Sequence, residues 1–109
     1  MSASGIPMIR SNTLRLAGEL NIYCAQDTRL QLMQTVTGLA GQSEPQALDI
    51  DLSGVSEIDT AGVQLLLGTV RYARARGMDV RLVRQSMAVA EAMTLLGLDG
   101  YLSHPAQVD

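Results

Sequence analysis

Between residues 47 and 73 the spacing of apolar side chains changes period, and that change constrains what the chain can fold into more than any other feature. In ALDIDLS, residues 47–53, Leu48, Ile50 and Leu52 alternate with Asp49, Asp51 and Ser53. A period of two puts the aliphatic groups on one side of a strand and the polar groups on the other. After Asp59 the apolar positions become Val63, Leu66, Leu67, Val70 and Ala73 or Arg74, with Gly77 placed to end the element. That is one stripe of an amphipathic helix closed by a C′ glycine. A one-faced strand that feeds a one-striped helix must bury both against a further layer.

The two patterns recur on either side. Leu14 and Leu16 alternate with Thr13 and Arg15, Gly18 and Glu19 loosen the run, and Leu20 and Ile22 extend its apolar face. Before it, Ile6 to Arg10 reads as a short strand, with Ser11 and Asn12 as the turn. From about Cys24 to Leu39 the spacing is helical, with Leu30, Met33, Val36 and Leu39 or Ala40 on one stripe and Gly38 and Gly41 near its end. GQSEPQ, 41–46, is a loop, since Pro45 disfavours helix at Glu44. DVRLV, 79–83, reads as a strand. Ser86 is placed to cap a third helix that turns Val89, Met93 and Leu96 inward and stops at Gly97. A turn around Tyr101 and Leu102 precedes Pro105.

The expected order is β-β-α-β-α-β-α. Strand-helix alternation implies parallel strands joined by crossovers, and the opening hairpin adds an antiparallel pair. The expected fold is α/β: a mixed four-stranded sheet flanked by helices, with 1–5 a flexible N-terminus, 6–104 a single domain and 105–109 a tail.

Composition narrows the function. With 109 residues the chain can bury a core without metals or disulfides. Because it has no Phe or Trp, Leu, Val, Ile, Met and Ala must fill that core; Met8, Met33, Met78, Met87 and Met93 read as gap fillers. A net charge of −3 argues against nucleic acid as partner. Arg71, Arg74 and Arg76 gather at a helix C-terminus, where cations favour the dipole. Cys24, read as a small buried residue, is the only cysteine, and it cannot build a zinc site with the lone His104. No run approaches the roughly 20 apolar residues of a membrane helix, and no basic-then-apolar leader opens the chain. The expectation is a soluble cytoplasmic protein with no cofactor, no metal and no membrane insertion.

Asp49, Asp51 and Asp59 could serve acid–base chemistry or hold Mg²⁺, but no nucleophile with a base and no complete ligand set accompanies them, so solvated or capping carboxylates account for them. An enzyme is therefore not expected. Neither GxxxxGK[ST] nor GxGxxG occurs, and the absent side chain of Gly62 is read as room for another backbone. Gln64 lies one turn into the helix and off its apolar stripe. Thr60 stands out. Asp59 or Thr60 caps the helix, and a hydroxyl there lies among backbone N–H groups without helical partners. Phosphorylation would add about −1.5 to −2 charges at that positive helix end.

The segments LRLAGELNIYCA, ALDIDLSGVSEIDTAGVQLLL and GMDVRLVRQSMAVAEAMTLLGL together resemble a STAS domain, the family of bacterial anti-sigma factor antagonists, over about residues 10 to 103. The resemblance implies a non-enzymatic regulatory domain. Its partner-facing edge would comprise Asp51, Ser53, Ser56, Asp59, Thr60, Ala61, Gly62 and Gln64, and Thr60 would be phosphorylated by a kinase that resembles histidine-kinase ATPases. The unphosphorylated form would bind that kinase or anti-sigma factor, and phosphorylation would release it. Two departures matter. Sigma-regulating members often carry two hydroxyl residues after the Asp and then Gly-Leu-Gly, where this chain has Thr60, Ala61, Gly62, Val63 and Gln64. The pattern here is also similar to the STAS subunit of ABC transporters that maintain outer-membrane lipid asymmetry, where the equivalent threonine contacts the ATPase. STAS modules encoded with chemotaxis genes are a third resemblance.

Overall fold

The computed structural model describes residues 9–102. Seven elements follow one another: β1 (Arg10–Leu20), α1 (Ala25–Ala40), β2 (Gln46–Ile58), α2 (Thr60–Ala75), β3 (Asp79–Val83), α3 (Met87–Leu95) and a 3₁₀ turn (Asp99–Tyr101). The described strands form one sheet in the order β1-β2-β3, and both pairings are parallel. Leu102 adds a single parallel bridge to Leu82 on the far edge of β3.

The α/β architecture matches the expectation, but the sheet does not. Three parallel strands stand among the described residues where a mixed four-stranded sheet was expected. The expected turn at Ser11 and Asn12 lies inside β1. Tertiary hydrogen bonds override the turn preference of this pair: the Asn12 amide donates to Gln46 Oε1 and to the Ala47 carbonyl, both at 3.0 Å, and the Arg10 N–H donates to the Pro45 carbonyl at 2.9 Å. Met8, most of the expected Ile6–Arg10 strand, residues 1–5 with the flexibility expected of them, His104, Pro105 and the expected tail lie outside the described residues.

The alternation in β2 works as the sequence suggests. Leu48, Ile50 and Leu52 are fully buried with Leu16 of β1 and Val80 and Leu82 of β3. Against them pack Leu32 and Val36 of α1, the stripe Val63, Leu66, Leu67, Val70 and Ala73 of α2, and Val89 and Met93 of α3. The opposite sheet face is polar, and its charges pair: Arg81 donates twice to Asp49 at 3.0 Å. No helix among the described residues is long and apolar enough to cross a membrane.

Five expectations about individual side chains need correction. Ile22, expected to extend the apolar face through Leu20, lies beyond the end of β1 and is 64% exposed. Leu30 is 51% exposed and Leu32 is buried in its stead, because Leu30 lies about half a turn of the helix from Leu32; the rest of the expected stripe holds, with Val36 buried and Met33, Leu39 and Ala40 packed against the core. Leu96 is 46% exposed, since it is already the C-cap of α3. Met87 is 78% exposed at the first position of α3 and fills no gap. Cys24 is half-buried as the N-cap of α1. The helix ends behave as expected: Gly77 and Gly97 adopt φ of +80° and +70°, and the Ser86 hydroxyl accepts the Val89 N–H at 3.2 Å.

Candidate functional site

Parallel strands bring the starts of all three helices to the carboxyl end of the sheet, and there one carboxylate organises the change of period. Asp59 is extended (φ −118°, ψ −174°) and caps α2. Its Oδ1 accepts the Gly62 N–H and its Oδ2 accepts the Ile22 N–H, each at 3.0 Å. Its own N–H donates to the Leu20 carbonyl at 3.3 Å. The β2–α2 junction is thereby tied to the loop between β1 and α1. Gly62 permits that contact, because a Cβ there would run into the Leu20 carbonyl oxygen and the Ile58 side chain. The glycine is room for another backbone, as its sequence context suggested.

Of the two capping candidates, Asp59 is therefore the cap. Thr60 is the first residue of α2 and is exposed, so its hydroxyl is not committed to ending the helix. Ala61 and Gln64 follow it and face an open groove of about 390 Å³ between α1 and α2. Replacing Asp59 by Ala removes the cap and the anchor to Ile22, with an expected loss of about 2 kcal/mol. Urea unfolding together with hydrogen exchange checks this: the Ile22 and Gly62 amides should lose protection selectively, and unchanged protection would contradict the bridging role.

Asp51 and Ser53 belong to a different neighbourhood. Eight residues separate Asp51 from Asp59 in sequence, on the order of 20 Å along a strand. The buried Asp51 carboxylate accepts the Ser53 N–H at 2.9 Å and pairs with Arg84 Nε at 3.3 Å. Its pKa is held below the usual aspartate range, first by hydrogen bonds from the Ser53 side chain and backbone and then by the charges of Arg84 and Arg15, with burial opposing them. Arg84 sits at φ +55°, a left-handed conformation that a long side chain adopts only under local constraint. The ion pair and the Ser86 N–H donating to the Leu52 carbonyl at 3.2 Å supply that constraint.

A carboxylate with a depressed pKa adds stability above its unfolded-state pKa, and that stability is lost as pH falls through the folded-state value. Asp51→Asn should therefore cost about 1 kcal/mol at neutral pH. The gap to the wild type should close as both proteins are acidified below the ordinary aspartate range. Unfolding curves across pH test this; a gap that persists in acid would contradict the charge-based account.

The expected edge thus divides. Asp59, Thr60, Ala61, Gly62 and Gln64 come together at the mouth of α2, Asp51 is paired with Arg84 and accepts the N–H of the exposed Ser53, and the exposed Ser56 lies on β2 between the two groups. Asp49, Asp51 and Asp59 each have a structural partner, in Arg81, Arg84 and the two backbone N–H groups. Ile22 and Tyr23, which the sequence alone does not bring to the mouth of α2, are placed there by the bond from the Ile22 N–H to Asp59. They are 64% and 90% exposed beside Asp59, on a loop folded by Asn21, whose Oδ1 accepts the Tyr23 and Cys24 N–H groups at 3.0 and 3.2 Å. Two adjacent large apolar residues between a turn-forming Asn and a helix start are the signal that could have found them.

A family model described as "Mlab, STAS domain" matches residues 9–104. Among solved structures, the anti-sigma factor antagonist SpoIIAA in its unphosphorylated form is similar with a TM-score of 0.66 and 22% identity, over 86% of this chain and 79% of that one. The phosphorylated form of SpoIIAA, described as a Bacillus cell fate determinant, gives 0.61 and 21% over 86% and 82%. The STAS domain of a SulP transporter from Vibrio cholerae gives 0.64 and 19% over 95% and 76%. At these identities the likeness carries the fold. No curated protein sequence matches the chain significantly.

Proposed function

The chain belongs to the STAS domain family, and from that premise we propose that it is a non-enzymatic docking module of the bacterial cytoplasm whose affinity for a kinase-like ATPase or anti-sigma factor is set by phosphorylation of Thr60. The observation that carries this reading is the division of labour at the mouth of α2. Asp59 does the capping and anchoring, which leaves an exposed hydroxyl at the positive end of a 16-residue helix. A phosphate there gains roughly 0.3 to 1 kcal/mol from the dipole, so modification recharges the surface without unfolding the domain. Similarity to SpoIIAA, an anti-sigma factor antagonist with structures in unphosphorylated and phosphorylated forms, supports the same reading. Mass spectrometry of the protein purified from its native cells tests it. One phosphoryl group on Thr60 is expected; a Thr60 that stays unmodified in cells where the partner kinase is active would overturn it.

A second reading follows from the family model that matches, described as "Mlab, STAS domain", and from the Ala61-Gly62-Val63 run in place of a second hydroxyl. There the chain is a subunit that stabilises an ABC-type ATPase in lipid transport, and Thr60 is an assembly contact. In that case Thr60→Ala and Thr60→Asp both impair assembly and no phosphate is found.

A further inference from the structure

Helix α2 carries two apolar stripes. One is the buried stripe through Val63, Leu66, Val70 and Ala73. The other runs through Ala61, Leu65, Gly68 and Tyr72, all only partly buried and all lining the groove against α1. Spacings of four, three and four are those of a helix–helix seam; α1 forms only the other wall, its Thr37 hydroxyl lying 3.3 Å from the Tyr72 hydroxyl, and among the described residues no third helix fills the groove between them. Gly68 sharpens the point. A mid-helix glycine costs roughly 1 kcal/mol relative to alanine, and nothing lies within 4 Å of where its Cβ would be. The fold itself gives no reason for the glycine. Close approach of a backbone from outside does.

The groove's charge identifies the kind of visitor. Arg29 of α1 is the one charged residue lining it, and at the far end the Arg76 guanidinium stacks 3.8 Å over the Tyr72 ring. Along its whole length α2 carries Arg71 and Arg74 and no Asp or Glu. A second copy laid parallel, α2 along α2, would set these C-terminal arginines against their equivalents, which disfavours that arrangement.

We infer that the α1–α2 groove receives a helix from a different protein, packed closely over Gly68 and bearing carboxylates toward Arg29 and Arg76. This deepens the docking proposed above and rests on it for the role of Thr60. Thr60 immediately precedes Ala61 at the open end of the groove, so a phosphate there would repel the acidic helix, which gives a physical route from modification to release.

Two synthetic amphipathic helices with the same Leu/Ala seam, one flanked by Glu and the other by Lys, test the inference against the full chain labelled with ¹⁵N. The Glu helix should shift the Ala61, Leu65, Gly68 and Tyr72 amides, and Gly68→Leu should weaken it at least about tenfold. Gly68→Ala should bind more weakly than wild type although its fold is more stable, a pairing that a merely structural glycine would not give. Shifts that map elsewhere, equal or tighter binding of the Lys helix, an indifferent Gly68→Leu, or shifts of the same amides on concentrating the protein alone would each overturn it. Thr60→Asp is read separately: if the Glu helix binds wild type and variant alike, the groove stands and the phospho-switch falls.

Discussion

Thr60→Asp is expected to weaken docking of the partner ATPase by about 100-fold, while Thr60→Ala holds the affinity of the unmodified protein. A factor of 100 corresponds to about 2.8 kcal/mol, within the several kcal/mol that like charges brought together across an interface cost. The substitution should not act through the fold. Thr60 is exposed, Asp59 already supplies the cap, and a carboxylate in the first turn slightly favours the helix. Calorimetric titration with circular dichroism on the same samples separates the two effects. Equal affinities for the Asp and Ala variants would remove Thr60 from the mechanism, and equal impairment of both would favour the assembly contact of the transporter reading.

The second large effect is at Gly62. Gly62→Ala should destabilise the domain by about 2 to 3 kcal/mol, because the new methyl meets the Leu20 carbonyl, which is backbone and cannot rotate away. Helix propensity pulls the other way by roughly 1 kcal/mol, so the sign of the result depends on the clash. Gly68→Ala, on the same helix with open space around its Cβ, is the internal control and should stabilise by about that propensity term. Urea denaturation of the two variants decides the matter. If Gly62→Ala were as stable as wild type, β1 and α2 would not be in the close contact on which the geometry of the mouth depends.

Legibility from sequence followed the strength of the local signal. ALDIDLS and the stripe from Val63 to Ala73 were readable because burial on one side repeats at the period of the element. The Ser86 cap and the glycines at 77 and 97 were readable because their chemistry serves one local job. The path of β1 was not, because the Asn12 amide looks like a turn former until its partners 34 and 35 residues away are known. One position of the α1 stripe was misread for a related reason: Leu30 is one turn from Met33 and fits the period locally, and only the position of the sheet selects Leu32 beside Val36. At the site, the mouth of α2 was legible as one stretch of chain. The contribution of the β1–α1 loop was not, since the bond from the Ile22 N–H to Asp59 spans 37 residues. Nor was the separation of Asp51 from Thr60, because sequence closeness along a strand hides how far an extended chain travels.

The most direct test of the central claim compares the affinity of the partner ATPase recovered from native cells for the unmodified protein and for the same protein phosphorylated on Thr60. The account predicts tight binding of the first and at least about tenfold weaker binding of the second, with full recovery after phosphatase treatment. Identical affinities for the two forms would contradict it.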